Sequence, residues 1–331
     1  MRVAVLGAGA IGGTIAALLF RGGHQVAVTA RGDNLRALRS GQLRLDGAWG
    51  SVQAHVTASE TLTTAPELAF VTTKVQDAES AMLGSAGVLG GIPVVVVQNG
   101  MRGVQTAERV LPDSPIVGGL ALYAASYLGP GRVAVTTAGP TYLGAPSPAS
   151  GAALARAAEA LGAVMPVSTT DNFVGAQWTK LVVNQINALP AITGMSAQEV
   201  ISHPGLRRLL TRSIRELVRA AQAGGVRFAP LQGLTDGMLR MLGRMPLSIG
   251  QLLPQLMKVR MGATPNPGST LQSIRHGQIT EIDYLNGAVV EAGERAGVAT
   301  PVNRALVELV HEVERTHVFV APDEILRRIR T

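Results

Sequence analysis

Short apolar runs alternate with amphipathic segments through the first half of the chain, and this alternation is the first indication of its fold. Continuous runs rich in β-branched residues predict buried strands at 3–6, 25–30, 68–72 and 93–97. Apolar residues at helical spacing predict helices at 11–20 and 78–88. Strands and helices in this order are typical of a parallel, doubly wound sheet with helices on both faces.

The pattern changes twice further along the chain. Residues 115–145 have the pattern of a strand, a Gly-Pro-Gly turn (129–131) and a second strand, which predicts an antiparallel extension of the sheet. After Asp171 the strand pattern ends, and helical periodicity predicts helices at 177–192, 205–223, 231–261, 280–296 and 303–315. We therefore predict an α/β protein with two domains, a doubly wound sheet in residues 1–168 and an all-helical domain in residues 169–331.

Composition limits the class of protein. The 331 residues are 47% hydrophobic and 15% charged, which is enough apolar material for two cores. The apolar runs are far shorter than the roughly 20 residues of a membrane span. There is no cysteine, so disulfides, thiolate metal sites and thiol nucleophiles are excluded, and no metal site is expected. No signal-peptide pattern precedes the first strand, which predicts a cytoplasmic location.

The net charge of +7 raises the question of a polyanionic partner. Aromatic residues make up only 3% of the chain, and no block of Lys or Arg occurs, so we expect anionic small molecules as partners, and neither nucleic acid nor a membrane. Only three of the 29 basic residues are lysines, namely Lys74, Lys180 and Lys258. A lysine in this chain is therefore an exception to the general use of arginine.

The glycine-rich segment Gly7-Ala8-Gly9-Ala10-Ile11-Gly12 directly follows the first predicted strand and begins the first predicted helix. In this context Gly7 permits a tight turn, Gly9 lets the backbone approach a pyrophosphate, and Gly12 allows the helix to pack closely on the strand. The helix N-terminus adds N–H groups and a positive dipole end. The segment predicts a dinucleotide-binding domain of the Rossmann type; a glycine-rich turn without a ligand is the simpler alternative.

The residue after the second strand predicts which dinucleotide is bound. An NAD enzyme usually has Asp or Glu there to accept a hydrogen bond from the ribose 2′-hydroxyl, whereas this chain has Arg31. A guanidinium suits a 2′-phosphate, so we predict NADPH/NADP+ as the cofactor. The alternative is an arginine on a solvated loop beside Asp33.

Two further polar residues follow strand ends. Lys74 lies just after the strand at 68–72, and Asn99 just after the strand at 93–97. Carboxyl ends of parallel strands line the ligand crevice of an open α/β sheet, so both residues are predicted to face it. An asparagine in a turn commonly hydrogen-bonds its own backbone, so Asn99 alone is weak evidence for a ligand site. The presence of Lys74 at the matching strand end strengthens that prediction.

In the second half, Lys180, Asn184 and Asn187 lie at i, i+4 and i+7 and so share one face of a predicted helix. Polar groups among apolar neighbours need partners, because an unsatisfied buried polar group costs about 1 to 3 kcal/mol. A solvated cleft would provide partners, and a solvent-facing stripe is the alternative.

Further on, Thr280 and Asp283 form a capping-box-like pair that places Glu281 in the first turn of the next predicted helix. The helix dipole alone would favour an acidic residue there.

Five of the ten methionines lie in residues 231–261. We interpret them as core filling or as a subunit contact, and on that basis a homodimer is possible.

Together these residues resemble the ketopantoate reductase family from Met1 to about Glu314. The shared features are the glycine-rich turn of Gly7–Gly12, the strand-end Lys74, Asn-Gly-Met at 99–101, Lys-Leu-x-x-Asn at 180–184, and Ser-x-Leu-Gln at 269–272 followed by Thr-Glu-Ile-Asp at 280–283. The resemblance implies a Rossmann domain joined to a helical domain, NADPH in the cleft between them, and reduction of the C2 ketone of a 2-oxo acid, ketopantoate, to (R)-pantoate.

The resemblance also implies residue roles. Lys180 is the proton donor and polarises the carbonyl, and Glu281 orients both substrate and ammonium. The implied substrate-binding residues are Asn99, Asn184, Asn266 and Ser269, to which the shared helical face adds Asn187. The implied cofactor-binding residues are Gly7, Ala8, Gly9, Ala10, Ile11, Gly12, Arg31, Lys74, Asn99, Ala125 and Glu281.

Three features depart from the family pattern. Asn187 follows Asn184 by three residues where four is common, the asparagine that some members carry after this helix is absent from 194–197, and Pro-Gly-Ser269-Thr replaces Ser-Ser-Met. They affect the expected substrate rather than the fold or the cofactor. A reductase of another 2-oxo acid or an opine-type dehydrogenase is the first alternative, and a non-catalytic NADP-binding regulatory protein is a distant one.

Overall fold

The computed structural model describes residues 1–329. The chain divides into two compact units, Met1–Phe173 and Val174–Thr331. Among the described residues, no helix is both long enough and apolar enough to cross a membrane.

The first unit contains twelve strands and six helices. In chain order these are β1 (Arg2–Leu6), α1 (Ala10–Arg21), β2 (Gln25–Thr29), α2 (Gly32–Arg39), β3 (Leu43–Gly47), β4 (Val52–Ala54), β5 (Thr57–Ser59), β6 (Leu68–Val71), α3 (Val75–Leu83), α4 (Ala86–Leu89), β7 (Val94–Val97), α5 (Gly103–Val110), β8 (Ile116–Ala121), β9 (Ala124–Gly129), β10 (Arg132–Thr137), β11 (Thr141–Gly144), α6 (Gly151–Gly162) and β12 (Val167–Thr170). The predicted boundary after residue 168 falls inside β12, so the division between the two units lies beyond it.

The main sheet has eight strands in the order β12-β11-β8-β7-β6-β1-β2-β5. β5, β2, β1, β6, β7 and β8 pair in parallel, and β11 is antiparallel to β8. The chain moves outward from β1 through β2 to β5 and then returns to form β6 on the other side of β1, so the strand order reverses between β1 and β6. This arrangement confirms the predicted doubly wound fold and places its topological switch point beside the glycine-rich segment.

The central strands form where the sequence is continuously apolar. Every residue of β6 and β7 is buried, which explains why these strands do not show the polar alternation of a sheet with one solvated face. The sequence prediction located them, together with β1 and β2, to within a residue or two at each end.

A second sheet, with the order β4-β3-β10-β9, corrects one prediction. The hairpin at the Gly-Pro-Gly turn consists of β9 and β10 and belongs to this small sheet, whereas only β11 extends the main sheet antiparallel to β8. β10 lies against α1: a β-carbon at Gly13 would stand 2.9 Å from Val133 Cγ1. Glycine at that position therefore allows the second sheet to pack on the helix.

The second unit is helical, apart from one bridge between Leu231 and Leu234 among its described residues. Its helices are α7 (Phe173–Asn184), α8 (Ala188–Thr193), α9 (Ala197–Ser202), α10 (Pro204–Ala223), α11 (Asp236–Arg244), α12 (Leu247–Gly250), α13 (Leu252–Met261), α14 (Gly268–Arg275), α15 (Ile282–Ala296), α16 (Pro301–Thr316) and α17 (Pro322–Arg328). The all-helical prediction is confirmed, although several predicted helices are divided.

Two of these divisions correct the sequence prediction. The segment predicted as one helix at 177–192 is α7, a 3-10 turn at Gln185–Asn187, and α8. The methionine-rich segment forms three short helices, and none of its five methionines is buried; Met238 and Met241 are 43% and 58% exposed. Core filling was therefore the wrong interpretation for these methionines, and the homodimer stays a prediction.

Candidate functional site

The glycine-rich loop in the first unit is a turn that only glycine can form. Gly7 has a φ of +95°, and a β-carbon there would stand 2.6 Å from Thr73 Cγ2. A β-carbon at Gly12 would lie 2.0 Å from the carbonyl oxygen of Gly7 and 2.3 Å from Thr72 Oγ1. Gly7 and Gly12 are thus required by close packing between the loop, β6 and α1.

Gly9 differs from both, because no protein atom lies within 4 Å of the position that its β-carbon would occupy. Its φ is −81°, so the backbone conformation does not require glycine either. Gly9 is the N-cap residue of α1, whose first turn carries no acidic side chain. The open space in front of Gly9, together with the unneutralised positive end of the helix, fits a pyrophosphate approaching the backbone.

Hydrogen bonds from both neighbouring strands hold the loop in place. The N–H groups of Gly7 and Ala8 donate to the carbonyl oxygen of Thr29 at the end of β2, at 3.3 and 3.0 Å. On the other side, Thr72 Oγ1 donates to the carbonyl oxygens of Leu6 and Gly7 at 3.0 and 2.8 Å. The sequence analysis did not single out Thr29 or Thr72; a threonine at the end of a buried strand is the signal that could have found them.

Lys74 and Asn99 lie where the sequence predicted, at the carboxyl ends of adjacent strands. Lys74 is the N-cap residue of α3, two residues after the Thr72 anchor, and Asn99 follows β7; both are half-buried. Gln98 links the two strand ends, because its Nε2 donates to the carbonyl oxygen of Thr73 at 2.7 Å. The structure therefore brings both residues to the sheet edge that carries the glycine-rich loop.

The two remaining cofactor residues of this unit have different settings. Arg31 is exposed and is the N-cap residue of α2, just beyond the end of β2. Asp33, which could have neutralised it, pairs with Arg36 instead. Ala125 lies on β9 of the second sheet, packed against the apolar core, rather than at a strand end of the main sheet. Its role at the cofactor stays a prediction.

In the second unit, Lys180 is half-buried on α7. Burial lowers the pKa of its ammonium group to about 8, and the negative charge of Glu281 opposes that shift. The two residues that the sequence analysis paired are therefore electrostatically coupled. An amine with a pKa of about 8 is largely protonated at neutral pH and gives up its proton far more readily than an exposed lysine.

Glu281 is placed differently from the prediction. It is the N-cap residue of α15 rather than a residue of the first turn, and its side chain makes no capping hydrogen bond. The capping-box-like pair does not form: Thr280 Oγ1 accepts from the N–H of Ile282 at 3.3 Å, and Asp283 contacts His311. The Glu281 carboxylate is therefore not used to cap its own helix.

Asn184 and Asn187 are 8% and 9% exposed, so a solvent-facing stripe was the wrong alternative. Asn184 ends α7, whereas Asn187 lies in the 3-10 turn that follows. The turn directs the Asn187 side chain toward Gly268: its Oδ1 would lie 2.5 Å from a β-carbon at that residue. Gly268 has a φ of +72° and comes directly before Ser269, so Asn187 lies beside the predicted substrate segment.

A buried polar cluster accompanies the break between α7 and α8. Gln185, in the 3-10 turn, accepts hydrogen bonds from Ser213 Oγ at 2.5 Å and from Asn286 Nδ2 at 2.9 Å. Asn303 Oδ1 accepts hydrogen bonds from both Ser213 Oγ and Asn286 Nδ2, and all four of these side chains are completely buried. Because buried amides need partners, the bonds to Ser213 of α10 and Asn286 of α15 hold Gln185 inward and fix the turn.

Asn266 and Ser269 flank Gly268 and are both exposed. Asn266 Oδ1 accepts from the N–H of Gly268 at 2.9 Å, and the Asn266 N–H donates to Gln198 Oε1 at 2.9 Å. Asn266 thus organises its own loop, and Ser269 is the second residue of α14. Contact of Asn266 and Ser269 with a substrate stays a prediction.

Each unit thus carries residues of one predicted kind. The first has a glycine-rich loop with open space in front of Gly9, and the second has a lysine of lowered pKa with buried amides on the same segment of chain. Among the described residues, no group of three or more His, Asp or Glu side chains is placed to hold a metal ion. Taken separately, the two sets of groups are of the types that hydride transfer to a carbonyl with a protein acid requires.

Two family models each match one part of the chain. Residues 3–148 match the family described as ketopantoate reductase PanE/ApbA, and residues 172–314 match its C-terminal counterpart. The 2-dehydropantoate 2-reductase of Archaeoglobus fulgidus is 30% identical over 318 residues, covering 95% of this chain and 98% of the relative.

Solved structures of similar fold cover nearly the whole chain. The crystal structure of a PanE/ApbA family ketopantoate reductase from Ralstonia eutropha JMP134 has 28% identity and a TM-score of 0.81, covering 95% of this chain and 99% of the other. D-mandelate dehydrogenase, solved with NADH and anilino(oxo)acetate, shares the fold at 22% identity with a TM-score of 0.83, covering 96% and 99%. The chain therefore belongs to the ketopantoate reductase family and is an oxidoreductase that acts on a CH–OH group.

Proposed function

We propose that the protein reduces the 2-keto group of ketopantoate to (R)-pantoate with NADPH. The observation that carries this proposal is the coupled pair of Lys180 and Glu281, found at the positions where the family resemblance implies the proton donor and its partner. The predicted cleft between the two domains stays a prediction.

The residues of the first unit fit the cofactor. The Gly7–Gly12 loop leaves space in front of Gly9 for the pyrophosphate, and Arg31 offers a guanidinium to the 2′-phosphate. Lys74 and Asn99 lie at the strand ends beside the loop and would contact the remainder of the dinucleotide. When bound, NADPH supplies the hydride that reduces the ketone.

Lys180 has two tasks in this mechanism. Its ammonium hydrogen-bonds the carbonyl oxygen, where negative charge develops during reduction, and then gives that oxygen a proton. Glu281 keeps the ammonium protonated and oriented, because its charge opposes the pKa shift caused by burial. Asn184 and Asn187 would bind the polar groups of the substrate from the same stretch of chain.

The second candidate is reduction of a different 2-oxo acid. The observation that favours it is the segment around Gly268, where Pro-Gly-Ser-Thr departs from the family pattern and receives the Asn187 side chain. The fold shared with D-mandelate dehydrogenase makes aryl-substituted 2-oxo acids worth including in the test.

The test is to measure kcat/KM of the purified protein for each of a panel of 2-oxo acids. The oxidation of NADPH is the assay signal. We expect ketopantoate to exceed pyruvate, 2-oxoisovalerate and phenylglyoxylate by at least about tenfold, a margin of roughly 1.4 kcal/mol in transition-state binding. A higher value for another acid would assign the second candidate, and no turnover of any ketone despite NADPH binding would reject both.

A further inference from the structure

We propose that Glu314 and His311 of α16 are positioning residues that hold Glu281 by fixing the chain on both sides of it. The inference rests on the proposed function, since the placement of Glu281 matters to turnover only if Glu281 and Lys180 act on the substrate.

A continuous chain of hydrogen bonds links the two flanks of Glu281 through α16. Glu314 Oε1 accepts from the N–H of Thr280, the preceding residue, at 2.7 Å. Glu314 Oε2 contacts His311 Nδ1 at 2.7 Å, and His311 Nε2 contacts Asp283 Oδ1 at 2.9 Å. The residues before and after Glu281 are thus joined to one turn of a neighbouring helix.

The segment carrying Glu281 needs such an anchor. It follows a stretch, residues 275–279, that is exposed throughout and contains a glycine with a φ of +62° at 277. Glu281 itself lies outside the helical conformation, with φ −99° and ψ 22°. Its carbonyl oxygen accepts from the N–H groups of Tyr284 and Leu285, but its side chain makes no capping bond, so helix formation alone does not fix the carboxylate. Burial of Ile282 keeps the start of the helix packed, whereas the hydrogen bonds to α16 hold the chain on either side of Glu281.

The charges of the cluster suit this role. The groups that face His311 are Asp283 from α15 and Glu314 from its own helix, so a protonated imidazole joins two carboxylates that would otherwise repel each other. Such a triad could also be an ordinary stabilising ion network with no connection to the site. The two roles differ in one measurable respect: only the positioning role changes the electrostatic contact between Glu281 and Lys180.

The decisive comparison is between Glu314→Ala and Glu312→Ala in the full-length protein. Glu312 is a matched control, because it lies on the same helix and also forms an ion pair, with Arg328 at 2.8 Å. Loss of the Glu314 acceptor frees the N–H of Thr280 and lets Glu281 move away from Lys180. We expect kcat/KM at pH 7 to fall roughly 10- to 100-fold, the size of effect that a small misplacement produces.

The pH profile provides the readout that a purely structural role would not change. In Glu314→Ala the alkaline limb of kcat/KM should shift to lower pH, in the same direction as in Glu281→Gln, whereas Glu312→Ala should leave the limb and the rate unchanged. Glu314→Gln keeps an acceptor for Thr280 and should show a smaller loss than the alanine variant. If Glu314→Ala does not fold, the same readouts on Glu314→Gln decide the question.

A folded Glu314 variant with a lower thermal midpoint but a normal rate and a normal alkaline limb would overturn the inference and leave a stabilising ion network. Failure of the proposed function has a different signature, whatever the result at Glu314: the wild type would not turn over ketopantoate, or Lys180→Ala and Glu281→Gln would turn it over normally.

Discussion

The Glu281 carboxylate opposes the effect that burial has on the Lys180 ammonium group. Burial lowers the pKa of the Lys180 ammonium from 10.5 to about 8, and the Glu281 carboxylate limits that fall. The lysine therefore remains mostly protonated at neutral pH while becoming a much better acid. A proton donor works best when its pKa lies near the pH at which it operates, and this pair meets that condition.

The first prediction concerns pH. Because Lys180 must be protonated to donate, kcat/KM should decrease as the pH rises through about 8. In Glu281→Gln the opposing negative charge is removed, so the decrease should begin at lower pH. A profile measured from pH 6 to 10 in both proteins tests this, and coincident alkaline limbs would show that Glu281 does not act on Lys180.

The second prediction concerns the chemical step. Lys180→Ala should lower kcat by about 100-fold or more, which is the usual contribution of a positioned general acid, with little change in NADPH affinity. If Lys180 and Glu281 act as a unit, the double variant Lys180→Ala, Glu281→Ala should be little worse than the worse single variant. Steady-state kinetics of the four proteins measure this, and additive losses would mean independent roles.

The third prediction concerns the choice of cofactor. NADPH should be preferred over NADH, and Arg31→Asp should remove most of that preference through the KM for NADPH, because the lost interaction is with a phosphate that does not react. Arg36→Asp is the control: Arg36 lies on the same helix but pairs with Asp33. If Arg31→Asp leaves the ratio of kcat/KM for NADPH and NADH unchanged, Arg31 is a solvated surface residue with no role in the choice of cofactor.

The fourth prediction separates binding from folding within the glycine-rich loop. Gly9→Ala adds a methyl group that meets no protein atom within 4 Å, so its thermal midpoint should match wild type while NADPH binding weakens strongly. Gly12→Ala places a β-carbon 2.0 Å from the Gly7 carbonyl oxygen and should reduce both stability and binding. Gly87→Ala, in equally open space on α4, should change neither. Unchanged NADPH titration of Gly9→Ala would mean that nothing approaches the loop at that point.

The fifth prediction concerns stability and pH. Burial opposes protonation of His311, but its hydrogen bonds to Glu314 and Asp283 outweigh burial and raise its pKa above 6.5. A raised pKa contributes stability below the ordinary histidine pKa, and that contribution disappears as the pH rises through the raised value. The thermal midpoint of His311→Asn should therefore lie furthest below wild type near pH 6 and approach it above pH 8. Equal differences at both pH values would contradict the assignment.

The central fold was predictable because its signals are local. β6 and β7 are short apolar runs between turn residues, and the glycine-rich segment stands directly between β1 and α1, so each could be recognised without its neighbours. The second sheet was missed for the opposite reason. The Gly-Pro-Gly turn predicts a hairpin, but the pairing of β10 with β3 joins residues far apart in sequence, and no local pattern specifies it.

The site shows the same limit. Lys180 and Glu281 could be identified as residue types at recognisable spacings, whereas the break after Asn184 could not, because apolar periodicity continues through the 3-10 turn. Its cause is the buried bonding of Gln185 to Ser213 and Asn286, side chains from two distant helices. Likewise, Thr280 looked like a helix cap because its neighbour in space, Glu314, is invisible in the local sequence.

If Asn187 binds the substrate as proposed, its proximity to Gly268 restricts how the enzyme can acquire a new substrate. At residue 268 any side chain would collide with Asn187 Oδ1 and would also have to adopt a φ of +72°, so substitutions there alone should yield mostly inactive proteins. Shortening residue 187 alone removes an amide but leaves an empty space beside the glycine. Laboratory evolution of this segment therefore needs libraries that vary residues 187 and 268 together. Mutagenesis of one residue at a time would wrongly suggest that neither can be replaced.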